Sequence, residues 1–212
     1  MNSPEAGSSI SLGAIILGAG RSVRMGRPKM LLPWGKSSVL GHLIEQWQVL
    51  QARQIAVVCV AGDQPIQAEL TRLGFPEANR ILNAAPEEGM FSSIQCAARW
   101  TGWQPGLTHW TIVLGDQPHL CHQTLRSLVE ACAIHPASVC QPRYHGHRHH
   151  PVFLPKPVFA QAATSQAANL KDFLETVTAK PFLCELDDPA LELDIDRPED
   201  YQQALARYGP RT

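Results

Sequence analysis

The chain has 212 residues, of which 44% are hydrophobic and 17% charged, with a formal net charge of −1. That length and apolar content suit one sizeable α/β core and exclude a disordered chain. The near-neutral balance, with a pI of about 6.7, excludes a global basic footprint for nucleic acid, and no apolar run approaches the roughly 18 residues of a transmembrane helix.

Residues 1–11 carry Glu5 and no basic cluster, and predict a flexible tail, not a signal peptide. The apolar run Leu12 to Leu17 predicts a buried first strand. Helical spacing over Val39 to Leu50 predicts a helix, Ile55 to Ala61 a strand, and Ile66 to Leu73 a short helix. Arg80 to Leu82 predicts a brief strand, and Ser92 to Trp100 a helix capped by Ser92 or Ser93. His109 to Leu114 predicts a strand, and Gln123 to Ile134 a helix stopped at His135-Pro136. Strands are then expected at Ser138 to Gln141 and Val152 to Leu154, with a polar loop or lid over residues 142–151. A helix over Asn169 to Thr178, strands at Phe182 to Leu186 and Glu192 to Ile195, and a closing helix over Pro198 to Arg207 complete the pattern. This alternation predicts an α/β fold with a mostly parallel, mixed central sheet covered by helices on both faces, in a single domain over residues 12–208. Ligands in such sheets bind at the carboxyl ends of the strands.

The segment after the first predicted strand carries the strongest chemistry. Leu17-Gly18-Ala19-Gly20 brings small residues to a strand end, and Arg21, Arg24, Arg27 and Lys29 place four positive charges in nine residues. A Gly-rich cationic loop at a strand end suits a polyphosphate. It lacks the Gly-Lys-Ser/Thr of a Walker A loop. It nearly matches a dinucleotide fingerprint through Gly18 and Gly20, but Gly26, Pro28 and Pro33 interrupt the helix that fingerprint requires.

Gly62-Asp63-Gln64-Pro65 and Gly115-Asp116-Gln117-Pro118 are the same tetrapeptide, each following a predicted strand. They place two carboxylates at strand ends, of which one need be used: Asp116 could hold Mg²⁺ beside phosphate oxygens or simply cap the following segment, and Asp63 stands where a dinucleotide site would want an acid. Asp194 and Asp196, if on a strand, share one face and repel unless a cation lies between them; Asp196 could also cap the last helix. The run from Arg143 to Pro151 holds His145, His147, His149 and His150. Its irregular spacing favours a loop of donors for an anionic substrate over a transition-metal site. The six cysteines form no C-x-x-C pair and suit reduced, buried thiols in a cytoplasmic protein.

Together these motifs resemble the molybdenum cofactor nucleotidyltransferase family, within the larger group of nucleotide-sugar-type nucleotidyltransferases. The resemblance runs from Ala14 to about Tyr201. Its opening signature is met by Leu17, Gly20, Ser22, Arg24, Met25, Gly26 and Lys29. Its asparagine and G-M-x-S-S segment are similar to Asn83 and Gly89-Met90-Phe91-Ser92-Ser93, its G-D-Q-P to Gly115 to Pro118, and its closing acidic motif to Asp194 to Asp200, with Arg197 in place of threonine. Ala19 and the Gly115 tetrapeptide favour the family's cytidylyl branch; Gly18 departs from it, and His149 stands where the family usually has glycine.

The resemblance implies a three-layer Rossmann-like nucleotidyltransferase fold and transfer of CMP from CTP to the molybdopterin form of the molybdenum cofactor, with release of pyrophosphate. It implies Arg24, Lys29 and Asp116 as catalytic residues. It implies a nucleotide site of Leu17, Gly18, Ala19, Gly20, Arg24, Lys29, Asn83, Ser92, Ser93 and Asp116. It implies Mg²⁺ (or Mn²⁺) on Asp116, Asp194 and Asp196, His150 at the acceptor, and a molybdenum-dependent oxidoreductase as recipient of the product. It selects Asp116 over Asp63 as the metal ligand. The competing readings are guanylyl transfer from GTP, another NTP transferase of the same fold, a non-catalytic molybdenum cofactor chaperone, and a dinucleotide-dependent oxidoreductase.

Overall fold

A computed structural model describes residues 10–20 and 25–210. In chain order the strands are β1 (Leu12–Leu17), β2 (Pro33–Trp34), β3 (Ser37–Ser38), β4 (Gln54–Val60), β5 (Arg80–Asn83), β6 (His109–Leu114), β7 (Val139–Tyr144), β8 (His147–Arg148), β9 (Val152–Pro155) and β10 (Pro181–Glu185). The helices are α1 (Val39–Val49), α2 (Gln64–Arg72), α3 (Met90–Arg99), α4 (His122–Ile134), α5 (Lys156–Ala162), α6 (Leu170–Thr176) and α7 (Pro198–Tyr208). The fold is α/β with a mixed, mostly parallel sheet between helical layers.

The sheet order is β10-β7-β9-β6-β1-β4-β5, with β8 paired to β7. β1 pairs in parallel with both β4 and β6, while β9 runs antiparallel to β6 and β7. Every residue of β1 is buried. Leu12, Ala14 and Ile16 face a core with Leu43 and Trp47 of α1, Leu125 and Leu128 of α4, and Tyr201 of α7. Ile15 and Leu17 face the opposite core with Ile94 of α3, Phe159 of α5 and Phe173 of α6. A strand buried on both faces is an unbroken apolar run, which is why β1 is so plain in the sequence. From β1 the chain builds β4 and β5 on one side, then crosses to β6 on the other. The crevice beyond the ends of β1 and β6 is therefore the switch point where ligands bind in open α/β sheets.

Four local expectations change. The stretch Glu192 to Ile195 is not a strand: Pro189–Glu192 forms a 3-10 turn that buries Leu191, and residues 193–197 are irregular coil that buries Ile195. Residues 142–148 are no irregular loop, because β7 and β8 close a hairpin across His145-Gly146; only residues 149–151 are coil. Both turn residues have positive φ (47° and 82°), which matches the twist of a tight hairpin. Helix α3 begins at Met90 on Gly89, without a side-chain cap, so Ser92 and Ser93 lie inside it. Helix α5 is an element the periodicity did not announce. The expected tail falls mostly outside the described residues; Ser11 donates its N–H to the Thr108 hydroxyl at 2.9 Å. Of the six cysteines, Cys59, Cys132 and Cys140 are buried, and Cys121 is exposed.

Burial holds His42, His109 and His119 below their usual imidazole range and brings His150 down to about 4. Below pH ~6.5 the unfolded chain takes up protons that these folded histidines refuse, so stability falls as pH falls. For His150 alone the loss at pH 5 is about 2 kcal/mol. Thermal melts at pH 7.5 and 5.0 are expected to show a lower midpoint at pH 5.0; an unchanged or higher midpoint would contradict this account.

Candidate active site

A cavity of about 330 Å³ opens at the switch point. Leu17, Gly18, Ala19 and Gly20 form one wall, Lys29 and Met30 the floor, Gly89, Met90 and Ser93 a second wall, and Leu114, Gly115 and Asp116 a third. The Gly18 N–H donates to the Val58 carbonyl at 2.8 Å, carrying the β1–β4 ladder one residue past the strand. Gly115 is required by close approach: a Cβ there would lie 2.4 Å from the Met30 sulfur and 2.9 Å from the Leu17 carbonyl oxygen. Gly89 turns into α3 with φ of 91°. The first N–H groups of a helix lack intrahelical partners, and this ten-residue helix starts at the cavity wall.

Behind that wall, Asn83 is almost fully buried. Its amide donates to the Ser92 hydroxyl at 2.8 Å and to the Ser93 hydroxyl at 3.0 Å, and its side-chain oxygen accepts from the Ala85 N–H at 2.9 Å. Ser92 donates back to the Gly89 carbonyl at 2.8 Å. Asn83 and Ser92 thus shape the turn into α3, while Ser93 lines the cavity. With Asn83 donating to it, the Ser93 hydroxyl keeps its own proton to offer.

The charged side chains gather opposite. Lys29 Nζ lies 3.0 Å from Asp116 Oδ2 and 3.2 Å from Asp196 Oδ1. Asp194 Oδ1 accepts from the Gln117 amide at 2.9 Å. Burial, then the neighbouring Asp116 charge, push the Asp194 carboxyl above its ordinary value; Asp196 adds to this, while Gln117 and Lys29 oppose it. The closing segment is pinned by the Ile195 N–H, which donates to the Asp116 carbonyl at 3.1 Å. Asp196 does not cap α7: the Asp200 carboxylate holds the Asp196 and Arg197 N–H groups, and the Asp196 side chain reaches Lys29.

The two identical tetrapeptides part company here. Asp63 caps α2 by accepting from the Ile66 N–H at 3.2 Å. After β6 no helix begins until His122, and Cys121 caps it, so the Asp116 carboxylate stays in the crevice. Asp116 Oδ1 is sealed from solvent without a hydrogen-bond partner. An orphaned carboxylate oxygen beside two further acids is the donor chemistry that Mg²⁺ or Mn²⁺ takes. The residues therefore fit such an ion by type. Among the described residues, however, no three His, Cys, Asp or Glu side chains are drawn together closely enough to hold a metal as they stand.

A second cavity, of about 630 Å³, adjoins the first through Met90, which lines both. Arg148, His149 and His150 from the hairpin side, Gln141 from β7, and Asn169 and Lys171 around the start of α6 enclose it. Gln141 Oε1, His149 Nε2 and His150 Nδ1 are all closed to solvent and unpartnered. Of the expected site residues, the first cavity collects Leu17, Gly18, Ala19, Gly20, Lys29, Ser93 and Asp116, with Asp196 beside Lys29. Asn83 and Ser92 stand behind it, and His150 is in the second. Arg24 lies outside the described residues. Sequence reasoning passed over Gln117 and Met90, although both sit inside motifs it singled out. It had no signal for Gln141 or Lys171, which only the folding of β7 and α6 around one space brings together.

The MobA-like NTP transferase domain family matches residues 14–181. The molybdenum cofactor cytidylyltransferase of Escherichia coli (strain K12) is 26% identical over 201 residues, covering 93% of this chain and 97% of the relative. A nucleotidyl transferase structure from Methanothermobacter superposes with a TM-score of 0.74 at 17% identity, covering 93% of this chain and 97% of that one. The manganese complex of Rv0371C from Mycobacterium tuberculosis H37Rv superposes with a TM-score of 0.65 at 21% identity, covering 93% and 99%. Among the described residues no helix is long and apolar enough to cross a membrane. With a Gly-walled crevice at the switch point and a family match spanning most of the sequence, the chain is a nucleotidyltransferase and belongs to the MobA-like NTP transferase domain family.

Proposed function

We propose that this enzyme transfers CMP from CTP to the terminal phosphate of the molybdopterin form of the molybdenum cofactor. The observation that carries this reading is the pair of adjoining cavities sharing Met90, one with Lys29 and Asp116, the other with Arg148, Lys171 and three orphaned polar atoms. CTP lies against Leu17 to Gly20, with Ser93 offering its hydroxyl and Asn83 and Ser92 holding that wall in place. Arg24 and Lys29 take the phosphates and offset charge on the departing pyrophosphate. His150, kept neutral by burial, faces the acceptor in the second cavity. An acceptor phosphate oxygen attacks the α-phosphorus, the bond to the bridging oxygen breaks, and pyrophosphate leaves. Mg²⁺ (or Mn²⁺) held by Asp116 with Asp194 or Asp196 would supply further neutralisation of phosphate charge. The rest of the catalysis is positioning.

The choice of CTP is supported by Ala19, by Gly115 to Pro118, and by the similarity to the Escherichia coli cytidylyltransferase. Guanylyl transfer from GTP is the second reading, kept open because Gly18 departs from the cytidylyl pattern. A Cβ there would press on the Val58 carbonyl at 3.2 Å, so glycine leaves this wall looser than the cytidylyl pattern would. We place the activity in one domain over residues 12–208, in the cytoplasm, with a molybdenum-dependent oxidoreductase receiving the product. Pyrophosphate release, measured with CTP, GTP, ATP and UTP in turn plus molybdenum cofactor and Mg²⁺, is expected to be fastest with CTP. Faster release with GTP selects the second reading, and release with none of the four ends the transferase assignment to this acceptor.

A further inference from the structure

Lys29 lies between two of the acids that would hold a divalent cation in the proposed reaction. Its ammonium bridges Asp116, at the end of β6, and Asp196, in the closing segment, at 3.0 and 3.2 Å. Lys29 also lines the nucleotide cavity, on the 3-10 turn Lys29–Leu31. One flexible four-carbon stem therefore reaches both the carboxylates and the space for a triphosphate. Asp116 presents its second oxygen, sealed and unpartnered, beside the lysine. Asp194 is tied to Gln117 instead and feels both neighbouring acids. The acids have the right chemistry for a hard cation, yet they are not gathered into a ligand set.

We infer that Lys29 is an internal counter-ion that holds the divalent-cation seat closed until a triphosphate draws its ammonium away, so that the metal enters with the nucleotide and not before it. Two cations on the Asp116 and Asp196 carboxylates repel, so the ammonium weakens the hold of a divalent cation while it stays. A triphosphate offers Lys29 stronger charge-assisted hydrogen bonds than two partly solvated carboxylates do. Lys29 then leaves, Asp116 loses its ammonium partner, and a divalent cation is favoured in its place. The consequence is protection of the resting protein from adventitious metals. The inference rests on the transferase reading only for the identity of the anion that moves Lys29.

The test is direct Mn²⁺ binding to the nucleotide-free protein, read from the electron paramagnetic resonance signal of unbound Mn²⁺. Wild type is expected to bind weakly. Lys29→Met is expected to bind at least about tenfold more tightly, because removing the ammonium takes a competing positive charge from the Asp116 carboxylate. Lys29→Arg keeps the charge and is expected to stay as weak as wild type. Lys29→Gln provides the same readout with a polar side chain should Lys29→Met fail to fold. Equal or weaker Mn²⁺ binding in the Met and Gln variants overturns the inference, as does a gain in Lys29→Arg equal to theirs. Pyrophosphate release by wild type is assayed separately. Failure of turnover would remove the substrate assignment while leaving the Mn²⁺ result to decide on Lys29.

Discussion

Replacing Asp116 by asparagine is expected to lower turnover by at least about a thousandfold, the scale of losing a carboxylate that would anchor the divalent cation. The fold is expected to survive. The contact that docks the closing segment uses the Asp116 backbone carbonyl, which accepts from the Ile195 N–H, and that carbonyl is retained. Asparagine is also isosteric, so Gly115 and Met30 keep their contact. The measurement is pyrophosphate release as a function of Mg²⁺ and Mn²⁺, beside a thermal melt. Turnover near wild type, at any metal concentration, would remove Asp116 from the reaction. The duplicate acid provides an internal control. Asp63→Asn alters only a helix cap, so it is expected to cost about 1 kcal/mol of stability or less and to leave turnover alone.

The second large effect lies at Lys29. Loss of its ammonium removes charge-assisted hydrogen bonds to phosphate worth about 1.5–3 kcal/mol. Lys29→Met is therefore expected to raise KM for the nucleotide by about 10- to 100-fold. The same substitution is expected to tighten binding of the metal to the free protein. A side chain that only supported the fold would weaken both ligands together. Nucleotide and Mn²⁺ titrations of one variant, moving in opposite directions, separate an exchangeable counter-ion from a structural lysine. An unchanged KM would show that Arg24 or the Leu17 to Gly20 backbone holds the phosphates without Lys29.

Much of this arrangement is legible in the residues because the central strands are buried on both faces. β1 and β6 fall where their apolar runs predict them, since an apolar run bounded by turn residues has few other uses in an α/β protein. The false strand at Glu192 to Ile195 has an equally physical origin. Leu191, Leu193 and Ile195 alternate with acids as a half-buried strand would, but Pro189 starts a 3-10 turn and, among the described residues, no strand edge receives the segment. Its alternation instead plugs Leu191 and Ile195 beneath the end of β6 while presenting Asp194 and Asp196 to the crevice. Helix α5 was missed because it is seven residues long, has no capping side chain and opens on Lys156-Pro157. The hairpin over residues 142–148 was missed because His145-Gly146 is an uncommon way to make two consecutive positive φ angles.

The sequence by itself determined the ingredients: a glycine-rich strand end, a lysine after it, an acid at a later strand end, an acidic pair before the last helix, and an asparagine with a serine pair. Local spacing is enough for that, because strand runs, turn glycines and caps are set by neighbours in the chain. Which of these residues act together was decided by the tertiary structure. Lys29 meets Asp116 and Asp196 across 87 and 167 positions, because β1 pairs with β6 in the sheet and the closing segment hydrogen-bonds to the end of β6. The same four residues, Gly-Asp-Gln-Pro, cap a helix in one copy and furnish a carboxylate to the crevice in the other. The difference lies in how soon the next helix begins and which strand stands alongside, and neither is written in the tetrapeptide.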